Sequence, residues 1–127
     1  MRAGHRYHAA CAAALAGCGQ GQDAPPGDEA RARLRRRALR WLRADLAAWR
    51  RLCEKGPAAV RTAADKQLRH WQQDPDLRGV RGKRPLARLP VEERLAWHRL
   101  WADVADALTP ARNESRLELP ADEFRGR

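Results

Sequence analysis

The sequence predicts an all-α fold, and three observations support this prediction. Apolar residues recur at steps of three and four, and proline and glycine stand at the ends of these repeats. Hydrophobic residues make up 43% of the 127 residues, but alanine supplies many of them and the mean hydropathy is −0.77. The core must therefore be thin, which suits packed helices.

The first helix is predicted over residues 5–16, which are alanine-rich and contain neither glycine nor proline. Gly17 ends it in the manner of a glycine at a helix C-terminus. A loop follows to Gly27, broken by glycines and by Pro25 and Pro26, and Asp28 is predicted to cap the next helix.

A long second helix is predicted over residues 28–55, ended by Gly56 and Pro57. Its apolar stripe, at steps of three and four, consists of Leu39, Leu42, Leu46, Trp49 and Cys53. Four further residues widen this stripe: Leu34, Ala38, Trp41 and Leu52. We expect the stripe to face the core and Cys53 to be buried as a small apolar residue.

A third helix is predicted over residues 57–73, and an irregular connection over 74–89 that contains one turn near 85–89. The fourth helix begins with Pro90 as its first residue and ends before Pro110. The predicted core packs one set of stripe residues, Leu39, Leu42, Leu46 and Trp49, against a second set, Leu68, Trp71, Trp97 and Trp101. Residues 109–127 lack clear periodicity and are predicted to be a disordered tail.

The charge is strongly positive, with 26 Lys and Arg against 16 Asp and Glu for a net charge of +10. Most of the excess lies between residues 28 and 90. The candidate basic patch consists of Arg35, Arg36, Arg37, Arg40 and Arg43. With Trp41 beside it, this patch leaves a basic nucleic-acid-binding protein open as an alternative function.

No catalytic, cofactor-binding or metal-binding residue is predicted. The glycines at 17, 19 and 21 follow a helix rather than a strand, so they do not form a nucleotide-binding loop. His5, His8 and Cys11 are spaced by three and could gather a soft metal, but a helix at the chain terminus is a poorly preorganised site. We therefore expect that the chain is not an enzyme and carries no cofactor.

The N-terminal segment allows two locations. Residues 15–18, Leu-Ala-Gly-Cys, spell a lipoprotein cleavage box, which makes an exported lipoprotein the alternative. The apolar stretch before this box is short and interrupted by His8. No run of 18 apolar residues is present, so no membrane span is predicted, and an odd number of cysteines favours the reducing cytoplasm.

Four segments together resemble a known family: residues 7–17, 39–49, 68–80 and 100–104, with Trp-Gln-Gln-Asp-Pro-Asp-Leu at 71–77 as the most specific. They resemble the C-terminal end of planctomycete-type tetratricopeptide-repeat (TPR) proteins, many of which carry a serine/threonine kinase domain upstream. The resemblance implies that residues 1–24 end a TPR-like repeat, that 25–108 form a three-helix capping and interaction unit, and that 109–127 are a tail. No kinase domain is present in the sequence.

The resemblance also implies a function, which is non-catalytic association with a protein partner or with upstream TPR repeats. An atypical terminal unit seals the core of such an array from water. Exposed apolar surface on the first two helices is expected to mark the docking face. The candidate interaction and core residues are Leu39, Trp41, Leu42, Leu46, Trp49, Leu68, Trp71, Trp97 and Trp101.

Overall fold

The computed structural model describes residues 3–20 and 24–108, and this part of the chain is helical with short connections. The prediction of an all-α fold is confirmed. The tail at 109–127 lies outside the described residues. The elements in chain order are α1 (Ala3–Gly17), α2 (Asp28–Lys55), α3 (Ala58–Gln73), a 3-10 helix (Pro75–Val80), α4 (Lys83–Ala87) and α5 (Val91–Ala107).

Three N-caps lie one residue from their predicted places, in α2, α3 and α5, and Pro57, predicted as the first residue of the third helix, is the N-cap of α3. Gly27, not Asp28, is the N-cap of α2, and Asp28 instead places negative charge in the first turn, where the helix dipole favours it. Pro90 likewise is the N-cap of α5, with ψ at 152°, and the helix begins at Val91. The end of α2 agrees with the prediction. The N–H of Gly56 donates to the carbonyl oxygen of Leu52 at 2.8 Å, and the helix stops before Pro57.

The predicted irregular connection at 74–89 is wrong, because most of it is helical. The Asp74 side chain accepts a hydrogen bond from the N–H of Asp76 at 2.9 Å and so starts the 3-10 helix after α3. Gly82, with φ at +92°, takes the left-handed conformation that separates this helix from α4. The segment also contributes three fully buried side chains to the core: Leu77, Val80 and Leu86.

One buried cluster joins all of the helices. Tyr7, Ala10 and Ala14 of α1 pack against α2, and the small alanines allow the two helices to lie close together. Of the predicted core, five side chains are buried: Leu42, Leu46, Leu68, Trp71 and Trp97. Four more are partly buried against this cluster: Leu39, Trp41, Trp49 and Trp101. The cluster spans both sides of the boundary at residue 24, and the division into two units stays a prediction.

The last turn of α2 is less covered than its periodicity predicts. Leu52 is 54% exposed, and Cys53 is only partly buried, so neither behaves as the sequence suggested. The reason is length, since α2 has 28 residues and extends about 42 Å, while α1 and α5 have 15 and 17 residues. The shorter helices leave one end of α2 open. In the part of the chain that is described, no helix has the length and apolar character needed to cross a bilayer.

Candidate functional site

The structure divides the predicted basic patch. Arg35 is 9% exposed, and Arg43 pairs with Asp103 at 2.6 Å, so neither belongs to a free basic surface. Arg35 precedes Leu42 by seven residues and therefore lies on the buried side of α2. The prediction that Arg35 and Arg43 contribute to an open patch is wrong, and the three exposed members are Arg36, Arg37 and Arg40.

Arg35 instead fastens three helices together. Its Nε and Nη2 donate to the two carboxylate oxygens of Glu93 at 2.7 and 3.0 Å, and its Nη1 donates to the carbonyl oxygen of Gly17 at 2.7 Å. The hydrogen bond to Glu93 raises the pKa of Arg35 above its ordinary value, although burial opposes this. The guanidinium thus satisfies a free carbonyl at the end of α1 and attaches it to the start of α5.

An arginine face, which we define as Arg33, Arg36, Arg37 and Arg40, covers the outer side of α2. All four side chains are exposed, and none has an ion pair with another described residue. They are neighbours at spacings of three and four, and each such like-charge pair costs an isolated helix about 0.2–0.5 kcal/mol. The guanidinium of Arg37 lies 5.9 Å from the ring centre of the partly buried Trp41. The face therefore concentrates positive charge, and the nearest acidic residue along α2 is the exposed Glu29, one turn before Arg33.

A groove of about 640 Å³ lies between the N-terminal halves of α2 and α5, next to this face. We call it the α2–α5 groove. Trp97 is buried in its lining, and Ala32, Leu39 and Ala96 are partly buried there. Its charged members are Arg36 on α2 and two glutamates on α5, of which Glu93 is only 13% exposed. The lining consists of Ala32, Arg36, Leu39, Pro90, Val91, Glu92, Glu93, Ala96 and Trp97.

Exposed large apolar side chains occur on α2 and α5 rather than on α1 and α2 as expected. They are Val91 and Leu95, each 57% exposed and one turn apart on α5, and Leu52 at the far end of α2. Among residues 5–17 of α1, the exposed side chains are His5, His8 and Ala12, so this part of the helix offers little apolar surface. The expected docking face on the first helix is therefore not supported.

A second groove, of about 230 Å³, lies where α2, α3 and α5 meet at the opposite end of the molecule. Trp49, Cys53 and Leu68 supply its apolar surface. Basic residues (Arg50, Arg61) and acidic residues (Glu54, Asp65, Asp106) surround it in similar numbers. This groove consequently favours no charge of partner.

The most connected polar group is the carboxylate of Asp74, which joins α1 to the end of α3. Its Oδ2 accepts from the Tyr7 hydroxyl at 2.6 Å and from the Cys11 thiol at 3.6 Å, and it lies 3.2 Å from Nε2 of His70. Burial opposes ionisation, but the hydrogen bonds from Tyr7 and from the N–H of Asp76, with the His70 and Cys11 contacts, hold the pKa of Asp74 below its ordinary value. The carboxylate therefore stays ionised and links the two helices.

The same place holds a group of three possible metal ligands. Atoms of Cys11, Asp74 and Asp76 lie within 4.8 Å of one another, whereas His5 and His8, which the sequence grouped with Cys11, are exposed on α1. Metal binding needs a thiolate, but burial and the nearby Asp74 raise the pKa of Cys11 to about 12. The hydrogen bonds already made by Asp74 and the protonated thiol favour a structural link over a metal centre.

The tryptophans act mainly as packing groups. Trp71 is fully buried and stacks on Tyr7 with ring centres 5.6 Å apart and an angle of 13°, but its Nε1 has no hydrogen-bond partner within residues 3–20 and 24–108. The indole N–H of Trp101 donates to the carbonyl of Val80 at 2.8 Å and so fixes α5 to the 3-10 helix.

Comparison with models of protein families, with curated proteins and with solved structures finds no match. The function must therefore be inferred from the surfaces described above. Of these, the α2–α5 groove is the one that adjoins the arginine face, whose four side chains make no ion pair with another described residue.

Proposed function

We propose that the chain is a non-catalytic helical module that binds another protein. The α2–α5 groove carries this proposal, because its lining includes apolar residues and the exposed Val91, and the exposed Leu95 follows Val91 by one turn on α5. Exposed apolar residues grouped beside a groove are typical of binding surfaces. The resemblance of the four segments to the end of TPR proteins agrees with such a role.

The groups that could perform chemistry support a binding role. Burial raises the pKa values of the Tyr7 hydroxyl and of the Cys11 and Cys18 thiols, so all three stay protonated and weakly nucleophilic at neutral pH. Arg35 and Asp74, the best-connected buried charges, hold helices together. These groups stabilise the structure and are poorly suited to attack a substrate.

The partner in this proposal is an upstream TPR array or a separate protein. Stacked helical pairs bury their apolar faces against a neighbour, and a terminal unit closes the stack. The cytoplasm is the proposed location, because Cys11, Cys18 and Cys53 are all free thiols.

The test is selection of binders from a displayed library of amphipathic helical peptides, with the purified full chain as bait. Selected peptides should lose binding to a chain carrying Val91→Glu and Leu95→Glu. They should keep binding to the control Leu52→Glu, because Leu52 is 54% exposed but lies outside the groove. Peptides insensitive to the groove substitutions would contradict the proposal, and so would hydrolysis of ATP by the purified chain.

A nucleic-acid-binding protein is the second candidate function. The observation that favours it is the arginine face, with Arg37 close to the indole of Trp41. Binding to phosphates would weaken steeply as salt rises. Titration of a labelled single-stranded oligonucleotide at low and high salt tests this candidate, and absence of binding at low salt removes it.

A further inference from the structure

We propose that the α2–α5 groove takes an acidic amphipathic helix of a partner protein. This inference rests on the proposed function and adds the chemistry of the occupant. It predicts apolar side chains on the face of the partner helix that enters the groove, and glutamates or aspartates along the side next to the arginine face.

The shape of the groove favours a helix. Two helices form its walls, and Ala32 and Leu39 line one wall at a spacing of seven residues, which is two helical turns. Val91 and Ala96 belong to the facing wall. A third helix can place side chains at spacings of three, four and seven between such walls, as in other helix-in-groove complexes.

The charge favours an acidic partner. The four side chains of the arginine face have no ion pair with another described residue, and Arg36 also lines the groove. On the opposite wall, Glu93 is already held by both of its oxygens to Arg35. Glu92 is thus the one acidic group lining the groove that has no partner among the described residues. Within the lining, Arg36 faces this one glutamate, and the excess of positive charge comes from Arg33, Arg37 and Arg40 beside the groove on α2. Complementary charge would orient and attract an acidic helix along that side.

Two other occupants fit less well. A second copy of this chain would bring another net charge of +10 towards the arginine face. The phosphates of a nucleic acid could bind the arginines, but they would leave the apolar lining of Leu39, Val91 and Ala96 without a contact. They would also be repelled by Glu92, which lines the same groove. The acidic amphipathic helix uses both the apolar and the basic parts of the site.

The probes are three labelled synthetic peptides of about 18 residues, long enough to be helical when bound. They share the same leucines at steps of three and four and differ at the remaining positions, which are glutamate, glutamine or lysine. Binding to the full chain is measured by fluorescence anisotropy. The glutamate peptide should bind about tenfold more tightly than the glutamine peptide, and the lysine peptide more weakly still. Raising the salt from about 0.05 to about 0.5 M should reduce the preference for glutamate.

Two matched double variants locate the charge effect. Arg36→Glu with Arg40→Glu should weaken the glutamate peptide about tenfold and leave the glutamine peptide nearly unchanged. The control, Arg69→Glu with Arg84→Glu, makes the same change in net charge at exposed positions outside the groove and should have little effect. Circular dichroism of both variants verifies that they fold.

The outcomes separate this inference from the proposed function. Equal binding of the glutamate and glutamine peptides would overturn the acidic partner while leaving a protein-binding groove intact. Failure of all three peptides to bind would overturn the inference, and the library selection would then decide the function separately. A competing oligonucleotide gives the last outcome. If it displaces the glutamate peptide, and if its own binding is unchanged by Val91→Glu and Leu95→Glu, the site favours a nucleic acid and the inference is overturned.

Discussion

Replacement of Tyr7 by phenylalanine tests the link between α1 and the end of α3. The substitution removes the hydroxyl that donates to Asp74 at 2.6 Å and keeps the ring that stacks on Trp71. A buried hydrogen bond to a charged acceptor is worth about 1.5–3 kcal/mol. Because Cys11 and His70 still contact the same oxygen, we expect a loss near the lower limit, about 1.5–2 kcal/mol.

The assay is urea unfolding, monitored by tryptophan fluorescence. The slope of the unfolding free energy against urea concentration should be the same for Tyr7→Phe and for the parent. The control is Thr62→Val, which removes an exposed hydrogen bond of 3.3 Å to the carbonyl of Ala58 and should cost less than about 0.5 kcal/mol. A double-mutant cycle with Asp74→Asn should give a coupling energy of about 1 kcal/mol. A cost for Tyr7→Phe equal to that of the control, or strictly additive costs in the cycle, would refute the reasoning.

Three further predictions concern the packing and the buried charges. Gly17→Ala should destabilise the fold by about 1–3 kcal/mol in thermal unfolding, since its Cβ would lie 2.6 Å from Cγ of Arg35. Gly27→Ala should cost less, about 0.5 kcal/mol, because its Cβ meets no atom within 4 Å beyond its chain neighbours and only the preference for glycine over alanine at the N-cap is lost. Folding lowers the pKa of Asp74, so the ionised carboxylate stabilises the folded state at pH values above its ordinary pKa of 3.8. This stabilisation is lost as the pH falls through the pKa of the folded state. Acid unfolding curves of Asp74→Asn should therefore lack this loss. Burial raises the pKa of Asp45 although Arg6 donates to its Oδ1 at 3.0 Å, so its ionisation opposes folding and the stability of the parent should rise as the pH falls from neutral through the folded pKa. Asp45→Asn should lack this rise in urea unfolding, and an equal rise in the variant would contradict the assignment.

The long helix could be predicted from sequence because local rules determine it. Its stripe of Leu42 and Leu46 repeats at the helical period, and Gly56 with Pro57 gives an unambiguous end, so the observed Asp28–Lys55 agrees with the predicted range. The exposed positions of Arg36 and Arg40 follow from the same periodicity. Local pattern therefore accounts for the faces of individual helices.

The segment after Asp74 was missed because its apolar residues are few and far apart. Leu77 and Val80 lie three residues apart, as a 3-10 helix requires, and Asp74 could have been recognised as a capping residue before Pro75. The glycines and prolines of this segment are typical of irregular structure, and they outweigh these two weaker signals in the sequence. The burial of these leucine and valine side chains depends on neighbours from other helices.

The candidate site was predictable only in part. The sequence indicates an arginine-rich stretch, but it gives no reason to separate Arg35 from its neighbours, since arginine is ordinarily exposed. Glu93, the residue that allows Arg35 to be buried, is 58 positions away. The α2–α5 groove likewise arises from the distance between two helices, a tertiary quantity that periodicity does not contain.

The bond between Tyr7 and Asp74 spans 67 positions, and this separation affects how the protein is made. A ribosome adds about 5–20 residues each second, so the acceptor follows its donor by about 3–13 s. Both α2 and α3 are synthesised before Asp74, so the alanine-rich α1 can pack against them early but gains its polar attachment to the end of α3 only when Asp74 has been added.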